Sequence, residues 1–247
     1  MLQSLSGKTA MVIGGSRGIG AAIVRKLADE GAKVAFTYAS SADAALHIVD
    51  SFAAKNIQVH AYQADSADPA QLTSVINQAA EALNGLDILV NSAGILMIRP
   101  FEEYSIEDFD RIFAVNVRGV FVAIQAALPH LRRGSRIMTI GSIAGEAARA
   151  PGSTLYGATK ATVARMVQGL AWDLAQRGIT INDVQPGPIE TDMTPGTGAV
   201  AEHLINVNPL KRMGKPEEVA NLVAYLAGPD SGYINGAGLR IDGGFFA

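Results

Sequence analysis

Short apolar runs alternate with longer segments of helical period along the whole 247-residue chain, and this alternation constrains the fold more than any single motif does. In the first example, the run "TAMVIGG" precedes "GIGAAIVRKLADEG", whose apolar stripe consists of Ile19, Ile23, Val24 and Leu27. Apolar strands joined by helical crossovers form parallel sheets that are covered by helices on both faces. We therefore predict an α/β protein with a doubly wound parallel sheet of about seven strands.

The same alternation locates the remaining elements. Strands are predicted in "KVAFTY", "IQVHAYQ", "LDILVNSAG", "SRIMTIGS", "ITINDVQPG" and "GLRIDGG". Helices are predicted over 42–54, from Asp68-Pro69 onward, over 105–128 with a capping box at Ser105 and Asp108, through Tyr156 to about Arg177, and over 216–226. Since no linker, repeat or low-complexity segment interrupts this pattern, we expect one domain over residues 1–247.

The composition argues against several classes of function. Apolar residues make up 49% of the chain and the net charge is -3, so there is no basic excess that would favour nucleic acid or an anionic membrane as a partner. The chain has no cysteine, and its four histidines lack ligand-like spacing, so we expect neither disulfides nor a metal site. The N-terminus lacks the pattern of a signal peptide, and we expect a cytoplasmic protein.

A glycine-rich loop, "IGGSRGIG", lies at the first predicted turn from strand to helix. Gly14, Gly18 and Gly20 would let the backbone turn tightly and approach a pyrophosphate, which the amides at a helix N-terminus stabilise. The alternative is a tight turn that binds no ligand, because one glycine-rich turn alone is a weak signal.

Tyr156 and Lys160 in "STLYGATK" are spaced to lie one helical turn apart on the same face. A free phenol, with a pKa of about 10, holds its proton tightly near neutral pH, and a nearby ammonium group favours the ionised form. The pair therefore has the chemistry of a proton donor with a tuning charge. The alternative is a half-exposed aromatic ring beside a surface lysine.

Together these motifs resemble the short-chain dehydrogenase/reductase family over essentially the whole chain. The glycine spacing is Gly-x-x-x-Gly-x-Gly, followed in order by "NSAG" at 91–94, Ser142, the Tyr156–Lys160 pair and "PGPIETD" at 186–192. The pattern is most similar to 3-oxoacyl-(acyl-carrier-protein) reductases and broad-range carbonyl reductases. The resemblance implies a Rossmann-type fold and hydride transfer between a nicotinamide cofactor and a substrate.

The resemblance also implies four catalytic residues. Tyr156 would be the general acid in reduction and the general base in oxidation, and Lys160 would tune it and hold the nicotinamide ribose. Ser142 matches the serine that hydrogen-bonds the substrate oxygen, and Asn116 matches the asparagine that holds a water against the lysine. Taken singly, Ser142 would equally suit a turn, and Asn116 a hydrogen-bonded core amide.

NADP(H) is the implied cofactor, in preference to NAD(H). NAD-dependent relatives carry an acidic residue near the end of the second strand, where this chain has Tyr38, and Arg17, Ser40 and Ser41 can bind a 2′-phosphate there. For Arg17 the alternative is a solvated loop arginine. The cofactor-binding residues implied by the resemblance are Gly14, Ser16, Arg17, Gly18, Ile19, Gly20, Tyr38, Ser40, Ser41, Asp65, Asn91, Ala93, Gly94, Tyr156, Lys160, Pro186, Gly187, Ile189 and Thr191.

The chain departs from the family pattern at Ile13. Most relatives have a threonine there, and its hydroxyl ties the glycine loop to the fourth strand. Isoleucine cannot form that hydrogen bond, so the sequence leaves the anchoring of the loop, and with it the affinity for the cofactor, open.

The resemblance implies that the chain interconverts a ketone and a secondary alcohol, with a small carbonyl, an alcohol or an acyl thioester as substrate. The segment 190–212 is rich in Pro, Gly and small residues and is predicted to be a mobile lid over the nicotinamide. A homotetramer is the assembly that the resemblance implies.

A rival prediction comes from a different class of function. The segments "GGSRGIG" and "QPGPIETD" are also similar to a biofilm-dispersal member of the family that is associated with cyclic di-GMP. On that interpretation the chain is a nucleotide-binding regulator with little or no turnover. The presence of Asn116, Ser142, Tyr156 and Lys160 favours catalysis instead.

Overall fold

Seven parallel strands form one sheet in the computed structural model, which describes residues 4–148 and 151–247. In chain order they are β1 (Thr9–Ile13), β2 (Lys33–Tyr38), β3 (Val59–Gln63), β4 (Leu86–Asn91), β5 (Leu131–Ile140), β6 (Thr180–Pro186) and β7 (Gly238–Ile241). Their order across the sheet is β3-β2-β1-β4-β5-β6-β7. The carboxyl ends of β1 and β4 therefore flank the switch point at which such sheets bind ligands. The predicted doubly wound parallel sheet is confirmed.

Eight α-helices connect and cover the strands in the described part of the chain. They are α1 (Gly18–Asp29), α2 (Ala42–Ala53), α3 (Pro69–Leu83), α4 (Ile106–Phe113), α5 (Gly119–Ala127), α6 (Thr154–Ala175), α7 (Ala199–Val207) and α8 (Pro216–Ala227). Among them, none combines the length and the apolar character needed to cross a membrane.

The two faces of the sheet bury two separate apolar cores. On one face Val12 and Phe36 pack with α1, α2 and α8, and on the other Met11 and Leu89 pack with α3, α5 and α6. Successive side chains of a strand point to opposite faces, so a strand that is covered on both sides must be apolar at nearly every position. This requirement explains the continuous apolar runs of the sequence.

The helix predicted over 105–128 contains an irregularity that its sequence pattern does not predict. Its capping box is present, with the amide of Asp108 donating to Ser105 Oγ at 3.1 Å and the amide of Ser105 donating to Asp108 Oδ2 at 3.2 Å. Between α4 and α5, residues 114–118 form a wider π-helical turn that contains Asn116. Such single turns within helices are frequent at functional sites, and the hydrophobic period does not register them.

One helix and one strand boundary differ from the sequence prediction. Helix α7 lies inside the segment 190–212, where a lid but no helix was predicted. Strand β5 begins at Leu131 rather than near Ser135, because Leu131 pairs with Leu86 before the register shifts along β4. That pairing depends on a partner far away in the sequence, so local composition does not predict it.

Candidate active site

The predicted catalytic residues are contributed by three parts of the chain that meet at the carboxyl edge of the sheet. Ser142 follows β5, Asn116 lies in the π-helical turn, and Tyr156 and Lys160 occupy the first two turns of α6. Lys160 Nζ lies 5.7 Å from the centroid of the Tyr156 ring. The phenol ring and the ammonium group are therefore close enough for the charge to act on the ring.

The ammonium group of Lys160 is buried and held by the backbone. Only 8% of the residue is exposed, and Nζ donates a hydrogen bond to the carbonyl oxygen of Ile140 at 2.7 Å. A Cβ atom on Gly94 would lie 3.6 Å from Nζ and 3.4 Å from Asn116 Oδ1. Three elements thus surround this ammonium group: the loop after β4, the π-helical turn and α6. This burial excludes the alternative of a surface lysine whose ammonium group extends into solvent.

Asn116 fastens the loop after β4 to α6. Its Oδ1 accepts from the amide of Ile95 at 2.8 Å, and its Nδ2 donates to the carbonyl oxygen of Ile95 at 2.9 Å and to Thr159 Oγ1 at 3.1 Å. Thr159 Oγ1 in turn donates to the carbonyl oxygen of Tyr156 at 2.7 Å. These contacts support a positioning role, and the water-holding role implied by the resemblance stays a prediction.

Ser142 lies half-buried at the end of β5. Its Oγ accepts a hydrogen bond from the amide of Ala144 at 3.1 Å. A serine hydroxyl that accepts in this way keeps its own proton for donation to another oxygen. This geometry fits the predicted contact between Ser142 and a substrate oxygen.

The glycine loop and the start of α1 are suited to an anionic ligand. Within the described residues, Arg17 at the N-cap makes no side-chain capping bond and the first turn of α1 contains no acidic residue. Gly14 has a φ of 80°, and a Cβ atom there would lie 2.7 Å from Ala93 Cα. The amides at the start of this helix can therefore donate hydrogen bonds to a ligand such as a pyrophosphate. The glycines of the loop would let that ligand come close to the backbone.

The glycine loop is anchored despite the isoleucine at position 13. Gly14 N donates to Thr37 Oγ1 at 2.9 Å, and Gly15 N donates to the carbonyl oxygen of Thr37 at 2.8 Å. The amide of Ser92 donates to the carbonyl oxygen of Ile13 at 2.9 Å, and the Ile13 side chain is 2% exposed within the core. Backbone contacts to β4 and the hydroxyl of Thr37 from β2 thus hold the loop.

Several of the other predicted cofactor-binding residues lie against this loop or beside it. Thr191 Cγ2 would lie 3.3 Å from a Cβ atom on Gly18. Asn91 is 3% exposed, and neither polar atom of its amide has a hydrogen-bond partner in the described part of the chain, so both are available to a ligand or to ordered water. Half-buried or buried positions along the same edge of the sheet are taken by Ser16, Ile19, Gly20, Gly94, Pro186, Gly187 and Ile189.

The residues predicted to select the 2′-phosphate lie at the surface. The Arg17 side chain is 61% exposed, and its Nη1 is 3.9 Å from Asp192 Oδ2. An exposed pair at this distance contributes little, so the guanidinium can turn to a phosphate. Ser40 is exposed, and Tyr38 and Ser41 are half-buried at the end of β2 and the start of α2.

Asp65, predicted to contact the adenine, already has partners for both carboxylate oxygens. Oδ1 accepts from the amide of Ala67 at 2.9 Å, and Oδ2 accepts from Arg111 Nη1 at 3.1 Å. The hydrogen bond from Ala67 and, after it, the Arg111 guanidinium hold the pKa of this carboxyl below its ordinary value. Asp65 is therefore an anion that would have to share its partners with an adenine.

A buried acidic residue next to the site escaped the sequence analysis. Asp183, in the middle of β6, is 1% exposed, and it accepts from Thr139 Oγ1 at 2.5 Å and from Gln185 Nε2 at 3.0 Å. Burial raises the pKa of the Asp183 carboxyl, while those two hydrogen bonds and the ammonium group of Lys160 act in the opposite direction. The available signal was a carboxylate inside the apolar strand "ITINDVQPG".

Comparison with known proteins gives matches over nearly the whole chain. A family model described as enoyl-(acyl carrier protein) reductase matches residues 13–246. The chain is 42% identical, over 99% of both chains, to the cyclic-di-GMP-binding biofilm dispersal mediator protein of Escherichia coli strain K12. It is 37% identical to a 3-oxoacyl-(acyl-carrier-protein) reductase of Staphylococcus aureus, over 97% of this chain and 98% of the relative.

A solved structure also matches over nearly the whole chain. It is a short-chain dehydrogenase from Burkholderia cenocepacia in complex with NADP, with a TM-score of 0.97 and 47% identity over 99% of this chain and 100% of that chain. The match extends over the whole sheet and its helices. Among residues 4–148 and 151–247, by contrast, no three His, Cys, Asp or Glu side chains are placed to hold a metal ion.

Replacing Thr37 tests the anchoring of the glycine loop. In Thr37→Val the amide of Gly14 loses its acceptor, so we expect the free energy of unfolding to fall by about 1–3 kcal/mol and NADPH binding to weaken several-fold. Denaturant unfolding and titration of NADPH fluorescence measure the two effects. Thr162→Val, at an exposed position of α6, is the matched control, and equal NADPH affinity in the two variants would contradict the role of Thr37.

Proposed function

Because the chain belongs to the short-chain dehydrogenase/reductase family of oxidoreductases, we propose that it is an NADPH-dependent reductase that interconverts a ketone and a secondary alcohol. The observation that carries this proposal is the buried ammonium group of Lys160, held 5.7 Å from the centroid of the Tyr156 ring. A buried cation beside a phenol favours the phenolate that remains after proton donation. The bound NADP of the Burkholderia cenocepacia relative supports the choice of cofactor.

The side chains of the site would supply the proton and the hydrogen bonds that carbonyl reduction needs. The nicotinamide, when bound, supplies or accepts a hydride at the substrate carbon. Tyr156 gives its phenolic proton to the substrate oxygen in reduction and takes it back in oxidation, and Ser142 donates a hydrogen bond to the same oxygen. Lys160 stabilises the phenolate that remains. Each carbonyl reduced thus gains a proton from Tyr156 at oxygen and would gain a hydride from the nicotinamide at carbon.

The cofactor would lie along the carboxyl edge of β1 and β4. The open amides at the start of α1 would hold the pyrophosphate, and Asn91, Ala93 and Gly94 would line the edge of β4. We propose that Arg17, Ser40 and Ser41 select NADP(H) over NAD(H), since residues 38–41 include no carboxylate that would repel a 2′-phosphate.

We propose that residues 1–247 act as one dinucleotide-binding domain and that 190–212 is its substrate lid. Both ends of this segment are held. The amide of Glu190 donates to the carbonyl oxygen of Gly214 at 2.9 Å, and Asn208 Nδ2 donates to the carbonyl oxygen of Asp242 at 2.9 Å. Exposed Met193 and Val200 lie between these two points and suit a small apolar carbonyl substrate.

The proposed assembly is a homotetramer. Helices α5 and α6 expose Phe121 and Trp172, at 51% and 85% of their surface. Large aromatic side chains at such exposure are typical of surfaces that become covered in an assembly.

A second candidate function is a nucleotide-binding regulator. Its support is the 42% identity to the relative named for cyclic-di-GMP binding and biofilm dispersal, which extends over 99% of this chain. The glycine loop and the exposed Arg17 offer the same anion-binding groups to a dinucleotide of either kind.

Tyr156→Phe tests the catalytic proposal. Loss of the proton donor should lower kcat at least about 100-fold for a ketone that the wild type reduces, while the Kd for NADPH stays unchanged. NADPH oxidation and fluorescence titration measure the two quantities. Tyr233→Phe, at a fully exposed tyrosine, is the control, and full turnover by Tyr156→Phe would exclude Tyr156 as the proton donor.

Arg17→Gln tests the selection of NADPH. Loss of a charged hydrogen bond to the 2′-phosphate should lower kcat/KM for NADPH by about 10-fold to 100-fold and leave kcat/KM for NADH unchanged. Arg25→Gln, within α1, should change neither value. An equal fall for both cofactors would assign Arg17 to the pyrophosphate or to the loop itself.

Competition with cyclic di-GMP separates the two candidate functions. For a reductase we expect NADPH to bind with micromolar affinity, cyclic di-GMP to displace it poorly, and turnover to occur with at least one member of a panel of ketones, diketones and 3-oxoacyl thioesters. Tight displacement of NADPH without turnover on the whole panel would favour the regulator.

A further inference from the structure

Two pieces of chain adjoin the Tyr156–Lys160 pair at the carboxyl edge of the sheet. One is the loop after β4, residues 92–104, and the other is the segment before α6, residues 151–153. The loop starts beside the ammonium group, because a Cβ atom on Gly94 would lie 3.6 Å from Lys160 Nζ. The segment leads directly into α6, which carries Tyr156 in its first turn. A contact between the loop and the segment therefore joins both neighbours of the proposed proton donor.

The inner end of the loop is held by Asn116. The amide group of this side chain binds the backbone amide and the carbonyl oxygen of Ile95, and it donates to Thr159 Oγ1 at 3.1 Å. Asn116 and Thr159 are both buried, so these hydrogen bonds are shielded from solvent. The part of the loop next to the catalytic pair is therefore held independently of its outer part.

The outer part of the loop is held by Tyr104. Its hydroxyl lies 2.7 Å from the carbonyl oxygen of Gly152 and 2.9 Å from that of Met97. A hydroxyl has one proton to donate, which these two oxygens share. The amide of Arg99 also donates to the carbonyl oxygen of Gly152, at 3.2 Å. One carbonyl oxygen of the segment before α6 thus receives hydrogen bonds from two residues of the loop.

The loop and the segment touch at Gly152, where there is no room for a side chain. Gly152 has a φ of 77°, and a Cβ atom there would lie 2.9 Å from the carbonyl oxygen of Arg99 and 3.0 Å from its amide nitrogen. Any other residue would have to push the loop away. This close approach is independent of the Tyr104 hydroxyl, and it shows that the two pieces of chain form one wall.

The ring of Tyr104 is held separately from its hydroxyl. The Arg99 guanidinium carbon lies 5.7 Å from the centroid of the ring, and Arg99 Nη1 pairs with Asp108 Oδ2 at 2.9 Å. Asp108 belongs to the capping box of α4, so the guanidinium is fixed to the start of that helix. Removal of the hydroxyl alone would therefore leave the ring in contact with Arg99.

We propose that Tyr104 is a positioning residue, whose hydroxyl holds the loop after β4 against the segment before α6 and so fixes the wall against which an apolar ketone binds. Ile98 and Phe101 lie on that wall between the held positions and are largely exposed. This role rests on the proposed reductase function. Because Asn116 and α6 hold the groups that transfer the proton, the Tyr104 hydroxyl acts on substrate binding and leaves the chemical step unchanged.

Tyr104→Phe removes the hydroxyl and keeps the ring. For a ketone that the wild type reduces, we expect KM to rise by about 3-fold to 10-fold, because a mobile wall must become ordered when the substrate binds. We expect kcat to change by less than about 2-fold and the Kd for NADPH to stay unchanged. NADPH oxidation at varied ketone concentration and fluorescence titration of NADPH measure these quantities. Tyr233→Phe, at a fully exposed tyrosine, should change none of them.

Hydrogen exchange tests the same contact without any turnover. The amides of Arg99, Glu103 and Tyr104 are hydrogen-bonded, the first to Gly152 and the other two within the loop. In Tyr104→Phe we expect peptides that cover residues 97–104 to exchange at least about 3-fold faster, while peptides from α3 keep the wild-type rate. Mass spectrometry of the peptides measures both rates.

Gly152→Ala separates the wall by a different route. The new methyl group would push the loop away from the segment, so we expect the same rise in KM and the same faster exchange although the Tyr104 hydroxyl is present. Gly7→Ala is the matched control. Gly7 has a φ of 76° and open space at its Cβ position, so this variant introduces the same backbone strain without displacing a neighbour.

Unchanged exchange over residues 97–104 in Tyr104→Phe would overturn the proposal. Faster exchange with an unchanged KM would overturn it as well, because the loop would then not form a wall of the substrate site. A fall in kcat at constant KM would contradict the division between binding and chemistry. If the wild type reduces no ketone, the proposed reductase function fails, whereas the exchange rates still decide whether Tyr104 holds the loop.

Discussion

The buried ammonium group of Lys160 is the charge around which the carboxyl edge of the sheet is arranged. Burial on this scale requires hydrogen-bond acceptors nearby, and the chain supplies the carbonyl oxygen of Ile140. It also requires space, which Gly94 provides in the loop after β4. The placement of Tyr156 and Asn116 follows from this requirement, because both residues belong to turns that pack on the same group.

Cofactor binding depends on a loop whose anchoring is shared among several backbone contacts. The threonine usual at position 13 is only one way to hold such a loop. Here the hydroxyl of Thr37 accepts from Gly14, and the backbone of Ile13 accepts from Ser92. The Ile13 side chain can therefore add apolar area to the core without releasing the loop. A departure from the family pattern at this position is thus compensated from the neighbouring strands.

The sequence predicted the parts of the structure that depend on local pattern. The order of strands and helices follows from apolar period, and the capping box at Ser105 follows from residue spacing. The π-helical turn at 114–118, helix α7 and the early start of β5 were missed, because each depends on tertiary contacts that a window of sequence does not contain. Asp183 was missed for a related reason, since its hydrogen bond from Thr139 forms only when β6 pairs with β5.

The proposed proton donor and the proposed substrate walls lie on different kinds of element. Beneath the proposed proton donor lies the sheet, where Asp183 is in the middle of a strand that is paired on both sides and its carboxyl group packs against Gly141. The walls that a substrate would meet belong to loops, and Tyr104 connects two of them through hydrogen bonds to the carbonyl oxygens of Met97 at 2.9 Å and Gly152 at 2.7 Å. Loops tolerate substitution far better than a buried strand does. The Tyr156–Lys160 pair can therefore keep its arrangement on α6 while the loops above it change.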